Sequence, residues 1–174
     1  MDIDRQTWKY LHEFYEEVDV QLSILNVDQY SCGELLKSKI IEYSSNEEWD
    51  KCCTFEGIVE NLDGTSVKEE LYLELLNIQG HGLHQVILRN FQDRKFEKAV
   101  PHIEKMLGAG LASFKHRNSE PDAIASWVSH ALAGIGTRDA ISVIEKYCDS
   151  TDPYIAKEMQ YRLSKLKNRS EAKT

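Results

Sequence analysis

Ala99-Val100-Pro101-His102-Ile103-Glu104-Lys105-Met106 and Ala140-Ile141-Ser142-Val143-Ile144-Glu145-Lys146-Tyr147 align position by position at an offset of 41 residues. Both segments open on Ala and share Ile-Glu-Lys. The same offset pairs Leu83 with Ile124, Ile87 with Val128 and Phe91 with Leu132. An offset of 31 then pairs Ile124, Val128 and Leu132 with Ile155, Met159 and Leu163. Apolar residues at three- and four-residue steps mark amphipathic helices, so each unit reads as helix, tight turn, helix. Asp93-Arg94-Lys95 and Gly134-Ile135-Gly136-Thr137 make the turns, and the loop Gly108–Pro121 lengthens the first spacing. Helical periodicity alone creates some apparent repeats. The shared Ile-Glu-Lys, and the Ala opening each second helix, weigh against chance. One helix pair cannot bury its apolar face, so a fixed period of pairs predicts a stack with a continuous core.

Towards the N-terminus the pattern is helical but less regular. Trp8, Leu11, Tyr15 and Val18 form one face of a helix from about Arg5 to Val18. Residues 19–30 read equally as a short helix or an extended link. Ser31 with Glu34 has the spacing of a capping box, opening a helix that carries Leu35, Leu36, Ile40 and Ile41. Ser45 or Asn46 is expected to cap the next helix, which holds Trp49, Cys52, Cys53, Ile58, Val59 and Leu62 and stops at Asp63-Gly64. Thr65 is expected to cap a further helix with Val67, Leu71, Leu75 and Ile78 on its apolar face. Gly80-His81-Gly82 marks the next break.

Three prolines and nine glycines in 174 residues suit helices better than a sandwich of short strands. No apolar run approaches the roughly 18–20 residues that span a bilayer. Met1-Asp2-Ile3-Asp4-Arg5 lacks a basic segment followed by an apolar one, so no secretory leader is expected. Cys32, Cys52, Cys53 and Cys148 include no CxxC pair; they read as reduced thiols of a cytoplasmic protein rather than a disulfide or zinc set. The net charge of −8 is divided unevenly: residues 1–74 hold 18 acids and 6 bases, whereas residues 75–174 hold 11 acids and 15 bases. Such asymmetry bears on partners and association rather than on fold. A merely solvated acidic surface is the alternative.

The string Ala131-Leu132-Ala133-Gly134-Ile135-Gly136-Thr137-Arg138-Asp139-Ala140-Ile141, followed by Ile144 and the connector Asp149–Pro153, resembles a unit of the HEAT-like (armadillo-type) repeat superfamily. Leu75–Ala99 resembles a divergent unit, with Arg94-Lys95-Phe96 in place of the small turn. The resemblance implies an all-α fold: a right-handed α-α superhelix, or solenoid, of stacked antiparallel helix pairs with about eight or nine helices. It implies one domain over residues 1–174, with divergent helices in 1–64, repeats in 65–167 and a frayed tail in 168–174. Very short, acidic, HEAT-like chains from bacteria resemble immunity proteins, which neutralise a toxin delivered by a neighbouring cell. The motif specifies a fold far better than a function.

Catalytic signatures are missing from the sequence. There is no GxGxxG, GxxxxGK[ST], GxSxG or HExxH. Glu16-Glu17 and Glu69-Glu70 are adjacent and diverge by about 100° on a helix, so they face no common substrate. His81 and His84 would share a helix face at i, i+3, but a metal needs a third ligand; caps or core histidines are expected. No catalytic residue, metal or cofactor is therefore expected. The expected function is a protein-binding one, an inhibitor of a basic, nuclease-like toxin, with Glu56, Glu60, Asp63, Glu69, Glu70 and Glu74 as the acidic contact surface. Trp127 is either a further anchor or a core-flanking ring. The basic tail from Arg162 reads as a favourable helix end. The expectation is a monomer alone and a heterodimer with its partner, without membrane or nucleic-acid binding. A general HEAT adaptor is the second reading. A nucleic-acid-binding or pigment-lyase-type HEAT enzyme is the third, and the net acidity opposes its DNA-binding form.

Overall fold

The computed structural model describes residues 3–14, 17–63, 66–111 and 120–171. All regular structure among the described residues is helical. Ten α-helices follow one another: α1 (Arg5–Glu13), α2 (Val18–Ile24), α3 (Gly33–Ser45), α4 (Trp49–Asn61), α5 (Ser66–Leu75), α6 (His84–Asp93), α7 (Val100–Ala109), α8 (Pro121–Ile135), α9 (Arg138–Tyr147) and α10 (Pro153–Glu171). A 3-10 turn at Glu97–Ala99 leads into α7. The count exceeds the expected eight or nine because the stretch from residue 19, open between a short helix and a link, is helical as far as Ile24, while the first helix stops short of Val18. The α1 helix ends at Glu13, where Phe14 takes φ −107° and ψ 36°, and Val18 opens α2. Tyr15, expected on the stripe of that helix, and Thr65, an expected cap, lie outside the described residues. No helix among the described residues is long and apolar enough to cross a membrane.

Caps explain several of these boundaries. The Asp4 carboxylate accepts from the Thr7 N–H at 2.8 Å, and the Thr137 hydroxyl from the Ala140 N–H at 3.3 Å. Asp152 does the same for α10, accepting from Tyr154 N at 3.0 Å and Ile155 N at 3.3 Å. Two of the sequence-predicted caps fail. Asp28 takes Ser31 for itself: its carboxylate accepts from the Tyr30 and Ser31 N–H groups and from the Ser31 hydroxyl at 2.6 Å. Helix α3 therefore starts one residue later, after Cys32, with no side-chain cap. Ser45 is the last residue of α3 and Asn46 follows it, while Glu47, at φ +58°, reverses the chain before α4.

The chain divides into two compact units, Met1–Gly82 and Leu83–Thr174. In the first, α3 packs on α4 and α5, α1 on α2, and α2 on α4. Helix α5 thus packs with the N-terminal helices, and the boundary between the compact units falls at Gly82–Leu83. The rings of Trp8, Tyr43 and Phe55 meet at centroid distances of 5.6, 5.9 and 5.7 Å. Leu36, Ile40 and Tyr43 form the buried stripe of α3; Ile41, expected in that core, is 38% exposed. Lys68 donates to the carbonyls of Glu60 and Leu62, closing the C-terminal end of α4.

In the second unit α8 packs against both α6 and α10, and α7 packs on α9. Helix α9 also packs on α8 and α10. The 41-residue offset reappears as burial: Leu83 with Ile124, Ile87 with Val128, Phe91 with Leu132, Ala99 with Ala140, and Ile103 with Ile144 are all buried. It reappears in the turns as well. Lys95 and Gly136, 41 residues apart, both take left-handed backbone, at φ +51° and +68°. Gly134 lets α8 approach α6 closely, since a Cβ there would meet Gln92 Cγ at 2.3 Å. Helix α10 continues to Glu171, so the segment expected to fray from residue 168 is helical that far.

The left-handed conformation costs a residue with a Cβ about 1 kcal/mol or more, whereas glycine adopts it freely. Lys95→Gly is therefore expected to raise the unfolding free energy of the second unit by about 0.5–1 kcal/mol, and Gly136→Ala to lower it by about 1 kcal/mol. Equilibrium denaturation of both variants checks this; destabilisation by Lys95→Gly would contradict the equivalence of the two turns.

Candidate partner-binding surface

The structural divide is also an electrostatic divide. No charged residue lies between 75 and 82, so the first unit carries the whole −12 and the second +4. The six acids expected to form a contact surface all lie in the first unit, but they differ in what they can do.

Glu56 is turned inward. It is 6% exposed, and its Oε1 accepts from the Gly82 N–H at 2.7 Å and the Cys52 thiol at 3.3 Å. A carboxylate spent on a backbone N–H is a structural anchor, so Glu56 leaves the expected contact surface. Glu60, one turn on, is exposed. Partial desolvation, and then the Glu56 charge, raise its carboxyl above its ordinary value, with Lys68 opposing. Asp63 is exposed just beyond α4, and Glu69 is half-buried on α5.

Glu70 and Glu74 come together with a residue expected only as half of a capping box. With Glu34 of α3 they line a cleft of about 170 Å³, together with Val67, Leu71 and Tyr30. Helices α3 and α5 meet closely here; a Cβ on Gly33 would lie 3.4 Å from Val67. Lys37 reaches both Glu34 and Glu74 at 2.7 Å, and these two hydrogen bonds raise its ammonium above its ordinary value. Lys37 pairs with two of the three carboxylates, and the cleft keeps a negative excess. Tyr30 stands at the rim, 72% exposed. The Asp28 turn, which displaced the expected Ser31 cap, is what places Tyr30 there.

Trp127 is apart from this surface, on α8 of the second unit. It is half-buried beside a cleft of about 260 Å³ lined by Gln85, Arg89, Gln92, Asp93 and His130. His81 is fully buried, and its Nε2–H donates to the Leu75 carbonyl at 2.8 Å. His84 is buried at the first position of α6, so the two histidines share no helix face. Among the described residues no three His, Cys, Asp or Glu side chains are grouped as metal ligands. Cys52 is buried and Cys53 exposed, as adjacent helix positions require.

No family model, no curated protein and no solved structure matches this chain. Its surface chemistry is the ground for a functional reading.

The two kinds of glutamate are separable by stability. Glu56→Ala orphans the Gly82 N–H and opens a buried site, so it is expected to cost about 2–3 kcal/mol. Glu70→Lys alters an exposed position and is expected to stay within about 0.5 kcal/mol. Urea unfolding measures both; a neutral Glu56→Ala would remove the anchoring role.

Proposed function

We propose that this chain is a non-enzymatic helical-repeat protein that binds a basic protein partner through the acidic face of α3 and α5. The specific reading is a cytoplasmic immunity protein that neutralises a nuclease-like toxin domain. The observation that carries it is the cleft lined by Glu34, Glu70 and Glu74 beside the exposed Tyr30, where Lys37 pairs with Glu34 and Glu74. The repeat reading, a HEAT-like right-handed superhelix, is supported in the second unit by the paired burial and the matching left-handed turns at the 41-residue offset.

A nuclease must hold phosphates, so its cleft is positive. An acidic inhibitor is drawn to such a cleft along the field, and complementary charge raises association rate and specificity more than raw affinity. The Glu70 and Glu74 carboxylates would take the Lys or Arg groups that otherwise hold phosphate. Tyr30 supplies a large ring with a polar tip, the kind of side chain enriched at binding hot spots. Glu60 and Asp63 extend the negative field. The −12 of this unit also disfavours duplex DNA as its ligand.

Co-expression with the products of adjacent genes, followed by capture, is expected to yield one tight one-to-one complex with a basic domain that is toxic alone. Capture of several weak partners would favour an adaptor instead. In the captured complex, Glu70→Lys with Glu74→Lys is expected to slow association at least about tenfold at low salt, within the span attributed to steering. The dependence of the rate on salt is expected to flatten as well. An unchanged rate and salt slope would remove the acidic face from the mechanism.

A further inference from the structure

Helix α10 has an outer face that no described residue of its own unit covers. Ile155 and Met159 are buried on one side, where the helix packs on α8 and α9. On the other side Tyr154 and Tyr161 are 46% and 52% exposed. They lie seven residues apart, about 10 Å along one face, with exposed Lys157 between them and Lys165 one turn beyond. The Lys165 ammonium lies 5.3 Å from the Tyr161 ring centroid, a cation–π contact. A stripe of exposed tyrosines and lysines is the chemical complement of the cleft formed by Glu34, Glu70, Glu74 and Tyr30 in the first unit.

We propose that this α10 face docks a second copy of the chain, at the acidic α3–α5 surface of that copy. The inference rests on the acidic surface named above as the receptor for basic side chains, and adds that the protein supplies such side chains itself. Charge complementarity chooses the occupant: the second unit carries +4 and the first −12. A polyanion would be repelled by the first unit, whereas a second copy presents that unit as the receptor. The contact joins unlike faces, so it is head-to-tail and builds open chains or rings rather than a two-fold dimer. Each copy carries −8 overall. Long-range repulsion therefore keeps the association weak and confines it to high protein concentration. A basic partner that takes the acidic face would displace the second copy, so self-association would fall as partner binds.

Sedimentation velocity on the full chain tests this with two charge-reversed variants, Glu70→Lys with Glu74→Lys and Lys157→Glu with Lys165→Glu. The wild type is expected to shift to higher mean mass with concentration. Each variant alone is expected to remain monomeric. Their mixture is expected to associate again, because the native α10 of one meets the native acidic face of the other and the reversed faces also complement each other. Folding defects cannot mimic recovery on mixing. A wild type that stays monomeric at every concentration overturns the proposal, and so does a mixture that stays monomeric. If the Glu70 and Glu74 reversal still slows binding of the toxic partner in either case, the acidic-face reading stands while this inference falls. Binding of a single-stranded oligonucleotide at low salt, lost in the Lys157 and Lys165 variant, would assign α10 to nucleic acid and overturn it as well.

Discussion

No helix of the second unit can bury its apolar stripe alone, and that constraint shapes the unit. Ile87 and Phe91 of α6 and Val128 and Leu132 of α8 are all buried, and α8 packs on α6, α7, α9 and α10. Each such side chain removed from water contributes roughly 1.5–3 kcal/mol, against helices of mostly 10 to 19 residues whose isolated stability in water is marginal. Close approach then matters: Gly134 permits it beside Gln92, and the left-handed positions at Lys95 and Gly136 turn the chain back at equivalent points.

The first unit meets the same need by less regular means. It packs the half-buried ring of Trp8 on the buried rings of Tyr43 and Phe55, and it also buries polar groups that fix its connections. Gln21 donates to the Leu11 carbonyl at 3.0 Å, His81 to that of Leu75, and Glu56 holds the Gly82 N–H. Lys39 is 5% exposed and reaches the Glu42 carboxylate at 2.7 Å. Such bonds matter because a buried polar group without a partner costs more than a satisfied one gains. Most of the remaining acids point outward, and around the α3–α5 cleft they outnumber the cations that could neutralise them.

The second unit was legible in the sequence because period and burial are the same fact seen twice. Ile103 and Ile144 match in the letters because both must face the core. The caps of the first unit were less legible, since Ser31 has a capping spacing but Asp28, three residues earlier, competes for its hydroxyl. The acidic site was only partly legible. Glu56 and Glu60 lie on nearly one side of α4 and look alike in the sequence. Only the tertiary path of residues 80–82, which brings the Gly82 N–H to Glu56, tells them apart. Glu34 was read as half of a capping box, and Tyr30 lay in a stretch that could have been helix or link. Both join the cleft through the packing of α3 on α5, a contact between segments over thirty residues apart that no local pattern encodes.

Hydrogen exchange of the full chain, alone and saturated with the basic partner captured beside it, locates the surface that binds. New protection is expected in residues 30–37 and 66–74, which bear Tyr30, Glu34, Glu70 and Glu74. Protection confined to residues 83–171, with the α3 and α5 segments exchanging as in the unbound protein, would contradict it.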